Sequence, residues 1–313
     1  MIRYIPYESI DKAKWDACIL EAANGNIYAT SSWLDSWCKW DALVLGDYEV
    51  VMPLPIKQIG FIITIAIGIS RQPLFTQQLG VFGNDASTRL SMTYNELITE
   101  FLNKIPLGVL GKIYKLHLYL NVANPLESIP QKFKPKPRIT HHLALAAGNK
   151  GYNENTKRSI KKALAAALTA RHESESPDAI LDFLVSNSEK IETVKPRHWQ
   201  QYKQAIQTQW KLGQVQTWET LDPEGNRQAA AIFLVYKNVA VYSLGASTLA
   251  GRDTGAMHLL MDTFICHNLS RLSGAEPSRS ATTLDFAGSM IPSIARFFKS
   301  WGAVEVRYAE IRW

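Results

Sequence analysis

The chain holds only three cysteines, Cys18, Cys38 and Cys266, odd in number and far apart in apolar contexts. A disulfide framework does not fit this pattern, and the three read as small buried hydrophobes of a cytoplasmic protein. Long apolar runs are missing as well. The most apolar stretch, Phe61 to Ile69, is nine residues with Gly68 inside it, whereas a spanning helix needs about 20; it reads as a buried strand or hairpin. Met1 to Ile10 has no apolar core of signal-peptide length, so secretion is unsupported. Charged residues make up only 20% and no low-complexity tract occurs. With 46% apolar residues, the 313-residue chain can bury the core of one large domain or of two ordinary ones.

Several chemistries lack their motifs. Gly111-Lys112 is followed by Ile113, and Pro106 stands where a Walker loop needs its first glycine. No Gly-x-Ser-x-Gly nucleophile elbow exists. His141 and His142 are neighbours on a predicted strand and face opposite sides, while His258 and His267 lie nine apart on one helix. A metal cofactor is not indicated.

The charge that is present lies unevenly. The chain totals +6, yet Gln131 to Lys162 carries nine basic residues against Glu154 alone, a local +8 that leaves the rest at about −2. A protein that coats nucleic acid would spread its charge, so this is a nearly neutral globule with one electropositive strip. Within it, Lys157, Arg158, Lys161 and Lys162 stand at i, i+1, i+4 and i+5 of a predicted helix. Two readings are open: a solvated helix face beside a lysine-rich linker, or a ridge that binds phosphates of a nucleotide-linked substrate or donor. The strip lacks interleaved aromatics for base stacking, which argues against nucleic acid as its sole purpose.

Periodicity predicts helices over Asp11 to Ala22, Ser32 to Lys39 and Ser87 to Ile105, and strands over Ala42 to Leu45, Tyr48 to Pro53, Gln77 to Phe82 and Tyr114 to Leu120. Asn121 to Pro137, with four prolines and three lysines, reads as a linker. The pattern then restarts. A strand at Thr140 to Leu145 precedes helices at Tyr152 to Ala170, with Ile160, Leu164 and Leu168 inward, from Ser176-Pro177 to Ser188, and at Pro196 to Lys211. A meander of Val215 to Leu221, Ala229 to Tyr236 and Val239 to Leu244 follows, then helix Thr254 to Arg271, strand Thr283 to Phe286, helix Ile291 to Trp301 and strand Ala303 to Tyr308. This order is α+β. Gln78-Leu-Gly-Val-Phe-Gly83 and Ser243-Leu-Gly-Ala-Ser-Thr248 both lead into a helix, a sign of internal duplication.

Gly251-Arg-Asp-Thr-Gly-Ala256 lies between the last meander strand and an apolar helix. A glycine-containing loop entering a helix offers unpaired N–H groups and a positive dipole end, a physical basis for holding a pyrophosphate. Arg252, Asp253, Thr254, Gly255 and Ala256 are therefore candidate donor-binding residues. Arg252-x-x-Gly255 resembles the Arg/Gln-x-x-Gly-x-Gly/Ala pyrophosphate loop of GNAT acyl-CoA N-acyltransferases, with Met257 where that pattern has a small residue. Tyr152-Asn-Glu-Asn-Thr-Lys-Arg-Ser-Ile-Lys-Lys-Ala163, together with Leu284-Asp-Phe-Ala-Gly-Ser289 and Ile294-Ala-Arg-Phe-Phe-Lys-Ser-Trp-Gly302, resembles the tandem-GNAT family of Fem-type peptidoglycan aminoacyltransferases and their relatives.

The resemblance implies two tandem GNAT-like domains, 1-145 and 146-313, each a mixed, mostly antiparallel sheet flanked by helices, that bring an activated acyl group to an amine. The family's aminoacyl-tRNA users carry Phe-Lys-x-x-Phe-Gly near the end. Here the aligned position is Phe298 and Lys299 comes one residue later, a rotation of about 100° on a helix. No long heptad-bearing hairpin suited to tRNA is found either. Both features favour acyl-CoA or another small co-substrate over charged tRNA, with no permanently bound cofactor. Aminolysis needs donors at the developing oxyanion, an acid for the leaving group and a neutral amine. The backbone beside Leu244, Gly245 and Ala246 supplies candidate oxyanion donors, Tyr242 a candidate acid, and Asp285 a group to orient or deprotonate the amine; Lys157, Arg158 and Lys161 are the candidate phosphate ligands. Tyr242 and Asp285 also have plainer readings, the first as core packing and the second as a cap on the loop at Gly288-Ser289 or on the helix that follows. Met257 and Phe298 fit equally a member that has become a non-catalytic binding module.

Overall fold

The computed structural model describes residues 1–62, 65–83, 93–108, 112–173, 175–188, 194–272, 281–288 and 290–313. They form two units, Met1–Ile139 with Arg307–Trp313, and Thr140–Val306.

Unit 1 contains β1 (Ile2–Ile5), α1 (Lys12–Glu21), α2 (Ser31–Asp35), β2 (Trp40–Leu45), β3 (Val50–Ile62), β4 (Ile65–Arg71), β5 (Phe82–Gly83), α3 (Tyr94–Asn103) and β6 (Ile113–Tyr119). Its sheet runs β1-β2-β3-β4-β6, with β5 on β3, and is completed by the chain's last strand, Val304–Arg312, where Glu310, Ile311 and Arg312 oppose Tyr119, Leu118 and His117. The nine-residue apolar stretch falls on the β3–β4 hairpin, whose tip at 63–64 is outside the described residues. The start of the helix expected from Ser87 is also outside them; α3 begins at Tyr94, where Thr93 and Glu96 form a capping box.

Unit 2 adds β7 (Lys136–Ala144), α4 (Glu154–Ala165), β8 (Thr169–Glu173), α5 (Asp178–Asn187), α6 (Pro196–Lys211), β9 (Val215–Leu221), β10 (Arg227–Tyr236), β11 (Val239–Ser247), α7 (Leu249–Thr254), α8 (Ala256–Leu272), β12 (Thr283–Asp285), α9 (Pro292–Lys299) and β13 (Val304–Arg312), the first and last of these strands being shared with unit 1. Its sheet order is β7-β12-β11-β10-β9-β8. β10 is its centre: Ala229 to Leu234 are all fully buried. On one face Trp218, Phe233 and Phe286 pack with Phe264 of α8, Ala163 of α4 and Phe298 of α9. The Phe233 and Phe264 rings stack 3.7 Å apart. On the other face α5 lies on β9, β10 and β11.

Both units repeat one order. A meander (β2-β3-β4, β9-β10-β11) leads through a helix (α3, α8) to a strand parallel with the meander's last member (β6 on β4, β12 on β11), and an antiparallel strand closes the sheet. The closing strands are exchanged. β7 follows β6 in sequence but pairs with β12, and β13 follows β12 but pairs with β6. The expected boundary at 145/146 therefore meets a division at 139/140, with the last seven residues returned to unit 1.

Local expectations fail in three places, for identifiable reasons. The helix expected through Ala170 stops at Ala165; the chain turns at Ala167 (φ 53°), and Thr169–Glu173 pair with β9. The alanine run favours helix intrinsically, but edge pairing wins. Leu164, expected inward, is exposed. Residues 121–137 are no linker: Asn121, Asn124 and Phe133 are buried. Those asparagines also explain why the strand expected over 77–82 shrinks. Asn124 Oδ1 accepts the Val81 N–H at 2.8 Å, and Asn121 Nδ2 donates to the Leu79 and Val81 carbonyls at 3.2 and 3.1 Å. Beyond Gly80 (φ 108°), side chains thus hold Val81 between a single bridge of Leu79 to Leu120 and the short β5.

Candidate active site

β11 and β12 are parallel for three residues only, Val239, Ala240 and Val241 opposite Thr283, Leu284 and Asp285. β12 ends there, while β11 runs on from Tyr242 to Ser247. Two local features part them. In β11, Leu244 opposes Ile232 and Tyr242 opposes Phe233, so Ser243 is an extra residue that bulges and twists the strand. After β12, Ala287 (φ 56°) and Gly288 (φ 71°) turn the chain aside. The result is a fork. On its β12 side, the β11 edge that carries Leu244, Gly245 and Ala246 has no strand neighbour among the described residues, so backbone groups there face the opening.

Asp285 sits at the base of the fork. Its Oδ1 accepts the Ala287 N–H at 2.9 Å and the Thr140 hydroxyl at 2.5 Å, which holds the turn. Its Oδ2 lies 3.5 Å from His142 Nε2, directly across the β7–β12 pair. Asp285 is thus a cap, and its second oxygen is directed at an imidazole. Neither Thr140 nor His142 was a site expectation, because 145 and 143 residues separate them from Asp285 and only the antiparallel register brings them together. His141, on the opposite face, packs against Phe298 at 5.7 Å.

Tyr242 points inward, within 6.3 Å of the Phe233, Phe286 and Phe298 ring centres. Its hydroxyl returns to the strand end, so that a Cβ built on Gly245 would lie 1.8 Å from the phenol oxygen. Burial pushes the phenol's ionisation well up, so it stays neutral and can donate a proton or hydrogen bond but cannot serve as a base. It donates to Met257 Sδ at 3.7 Å, and the Met257 methyl is 3.1 Å from that same Cβ position. Met257 therefore lies over Gly245. Beside it, the Ser243 hydroxyl meets Tyr202 Oη of α6 at 2.9 Å.

The stretch read as a loop, Gly251 to Ala256, is mostly the short helix α7. Thr248 caps it, accepting the Gly251 N–H at 2.9 Å, and Arg252 N–H bonds Thr248 O at 3.0 Å. Gly251 is pressed to the Gln228 carbonyl, 2.1 Å from where a Cβ would stand. Thr254 bonds back to Ala250 O at 2.8 Å. Gly255 (φ 81°) ends α7, leaving the start of α8 at Ala256 and Met257 as the positively polarised end. Arg252 and Asp253 are exposed. The Ser159 carbonyl of α4 lies 2.5 Å from the Gly255 Cβ position, which sets the α4 ridge beside this helix start. On the ridge Lys157 pairs with Glu154 at 2.9 Å and Arg158 bonds Asn155, while Lys161 and Lys162 are exposed. Phe298 stacks on Phe286 at 4.5 Å, and Lys299 turns outward to Glu305 at 2.5 Å.

Structures of the same architecture are known. FemX superposes with a TM-score of 0.66 at 14% identity, over 96% of both chains. The chain has the Fem-type, tandem GNAT fold. A tandem GNAT protein from the clavulanic acid biosynthesis pathway matches over 100% of this chain and 98% of its own, at a TM-score of 0.50 and 11% identity. L-PGS from Bacillus licheniformis matches 96% of this chain and 91% of its own, at 0.55 and 11%. No family model and no curated protein matches the sequence. The α+β architecture expected from the sequence is thus the one observed, and among the described residues no helix is long and apolar enough to cross a membrane.

Proposed function

We propose that the protein is a cytoplasmic N-acyltransferase that moves an acyl or aminoacyl group from an acyl-CoA-like donor to an amine. The observation that carries this reading is the fork: two parallel strands that part beside a helix start, with a neutral phenol and a carboxylate at the junction. The donor's carbonyl lies along the open edge of β11, where N–H groups near Leu244 to Ala246 stabilise the oxyanion as the amine adds. Collapse of the adduct forms the amide and expels the thiol, with Tyr242 placed to protonate it. The proton lost by the amine passes to the side chains at Asp285. Phosphates of the donor meet the start of α8, Arg252 and the ridge residues Lys157, Arg158 and Lys161.

Small donors are favoured over aminoacyl-tRNA because Lys299 is turned away to Glu305. A binding module without turnover is the second reading, supported by Met257 lying over Gly245. Calorimetric titration with acetyl-CoA and longer acyl-CoAs separates them. Binding weakened in Arg252→Ala, together with amide formation in an amine screen, supports the enzyme; binding without turnover supports the module. Absence of binding to wild type, or unchanged affinity in Arg252→Ala, sinks the donor assignment.

A further inference from the structure

One face of the unit 1 sheet carries charge in place of a core. Along β6 and β13, Leu116, Leu118, Ala309 and Ile311 belong to the core, and the alternate positions His117, Tyr119, Tyr308, Glu310 and Arg312 take the opposite face. Register sets Arg71 of β4 and Arg312 of β13 opposite His117, one on either side, so the three stand in one row on that face. Arg138 of β7 joins them. Its Nε donates to Glu310 Oε2 at 2.6 Å, and its Cζ lies 5.7 Å from the centre of the Tyr119 ring. His117 Nε2 meets Glu310 Oε1 at 3.0 Å, and Arg312 bonds that same oxygen through Nε and Nη2. Glu310 is fully buried. Among the described residues it is the one carboxylate paired with these groups, and the exposed Arg71 has none. Burial opposes protonation of His117 most, Glu310 favours it, and the charges of Arg312 and Arg71 oppose it again; both guanidiniums are therefore near the ring.

Three guanidiniums thus stand against one carboxylate, an excess of two positive charges on a single patch. Neutralising a buried carboxylate takes only one of them. Both oxygens of Glu310 are taken, which fixes Arg138 and Arg312 by their Nε–Nη2 edges and leaves each Nη1 without a hydrogen bond among the described residues. Side chains held in this way offer their remaining N–H groups at little further entropic cost. We infer that this patch is an anion site, which holds the phosphate or pyrophosphate group of a ligand among Arg71, His117, Arg138 and Arg312. Arg71 and Arg312 stand two strand spacings apart, about 10 Å between backbones, which lets long side chains close on such a group from both sides of His117. A carboxylate would cancel half of the excess; a phosphate ester dianion cancels all of it, and its oxygens match the guanidinium fork. These residues all belong to unit 1, whereas those proposed for the donor's phosphates belong to unit 2. The inference stands whether or not the fork is catalytic.

The test is a titration of the full chain with pyrophosphate, followed through the His117 ring resonance, which His117→Gln identifies among the seven histidines. That resonance is expected to move to saturation. The ring's titration midpoint should rise in the complex, because an anion added to the set of Arg71, Tyr119, Arg138, Glu310 and Arg312 favours the imidazolium. Arg71→Ala and Arg312→Ala should each weaken the binding about tenfold, the loss of one charged hydrogen-bond donor. Arg71→Ala should also keep the wild-type melting temperature, since no carboxylate loses its partner. Arg252→Ala combined with Lys161→Ala, both in unit 2, should leave the His117 titration unchanged. A His117 resonance that stays still, that moves as far with sodium chloride at equal ionic strength, that saturates at the same concentration in Arg71→Ala as in wild type, or that loses its response in the unit 2 variant would each overturn the proposal.

Discussion

Gly245→Ala should damage unit 2 through a single contact. Gly245 is not in the left-handed region, so alanine meets no backbone strain and the whole cost is steric. The new Cβ would stand 1.8 Å from Tyr242 Oη, 2.6 Å from Cζ and 3.1 Å from the Met257 methyl, whereas ordinary contact begins near 3.4 Å. The phenol oxygen must retreat by more than an ångström, yet its ring is held among Phe233, Phe286 and Phe298. Overpacking of a tight core costs about 1–3 kcal/mol, and 2 kcal/mol in a unit of this size lowers Tm by roughly 4–8 °C. Removing the oxygen tells this contact from a general defect. In Gly245→Ala/Tyr242→Phe the 1.8 Å clash disappears while those at 2.6 and 3.1 Å remain, so the pair should couple by about 1 kcal/mol in a thermal-melting double-mutant cycle. A Gly245→Ala protein that melts within a degree of wild type, or a cycle that closes with no coupling, refutes the reasoning about where the Tyr242 hydroxyl lies.

Two other perturbations have definite signs. Asp285→Ala leaves the Ala287 N–H and the Thr140 hydroxyl without their acceptor and should cost about 2–4 kcal/mol in urea unfolding; Asp285→Asn keeps an acceptor oxygen and should recover more than half of that. Glu310 is fully buried between Arg138, Arg312 and His117; burial opposes its charge, yet the guanidiniums hold its carboxyl below the usual range. Its folded pKa being depressed, the ion pair's contribution is complete above the unfolded value near 4.3 and is lost as pH falls through and below it. Glu310→Gln should therefore flatten the acid limb of a stability-versus-pH curve, and an unchanged limb would contradict the assignment.

How much of this was legible depended on whether the forces were local. The meander β9-β10-β11 showed itself because alternation and turn residues such as Asp222 to Asn226 are short-range signals. The one-residue offset of Lys299 from the family's lysine position was visible as a rotation of about 100° on a helix, but not which of Phe298 and Lys299 turns inward. β8 and α7 were not visible: an alanine run and a Gly-Arg-Asp-Thr segment carry local preferences that pairing with β9 and capping by Thr248 override. At the fork, Tyr242 and Asp285 were singled out from the element order and the family resemblance. Their partners Met257, Thr140 and His142 were invisible in those roles, since each contact depends on a bulge, a turn or a register that only the folded chain creates.

The exchange of closing strands bears on how the protein is made. The strand that completes the sheet of unit 1 comes after the whole of unit 2 in the chain, for Glu310, Ile311 and Arg312 pair with β6. A nascent chain can lay down β1 to β6 early, but one edge of that sheet stays open until β13 has been translated. Unit 2 has the opposite history, with its closing strand β7 waiting before its meander is translated. A chain cut anywhere between β12 and β13 should therefore leave the first sheet unfinished, although the cut lies more than 160 residues beyond β6.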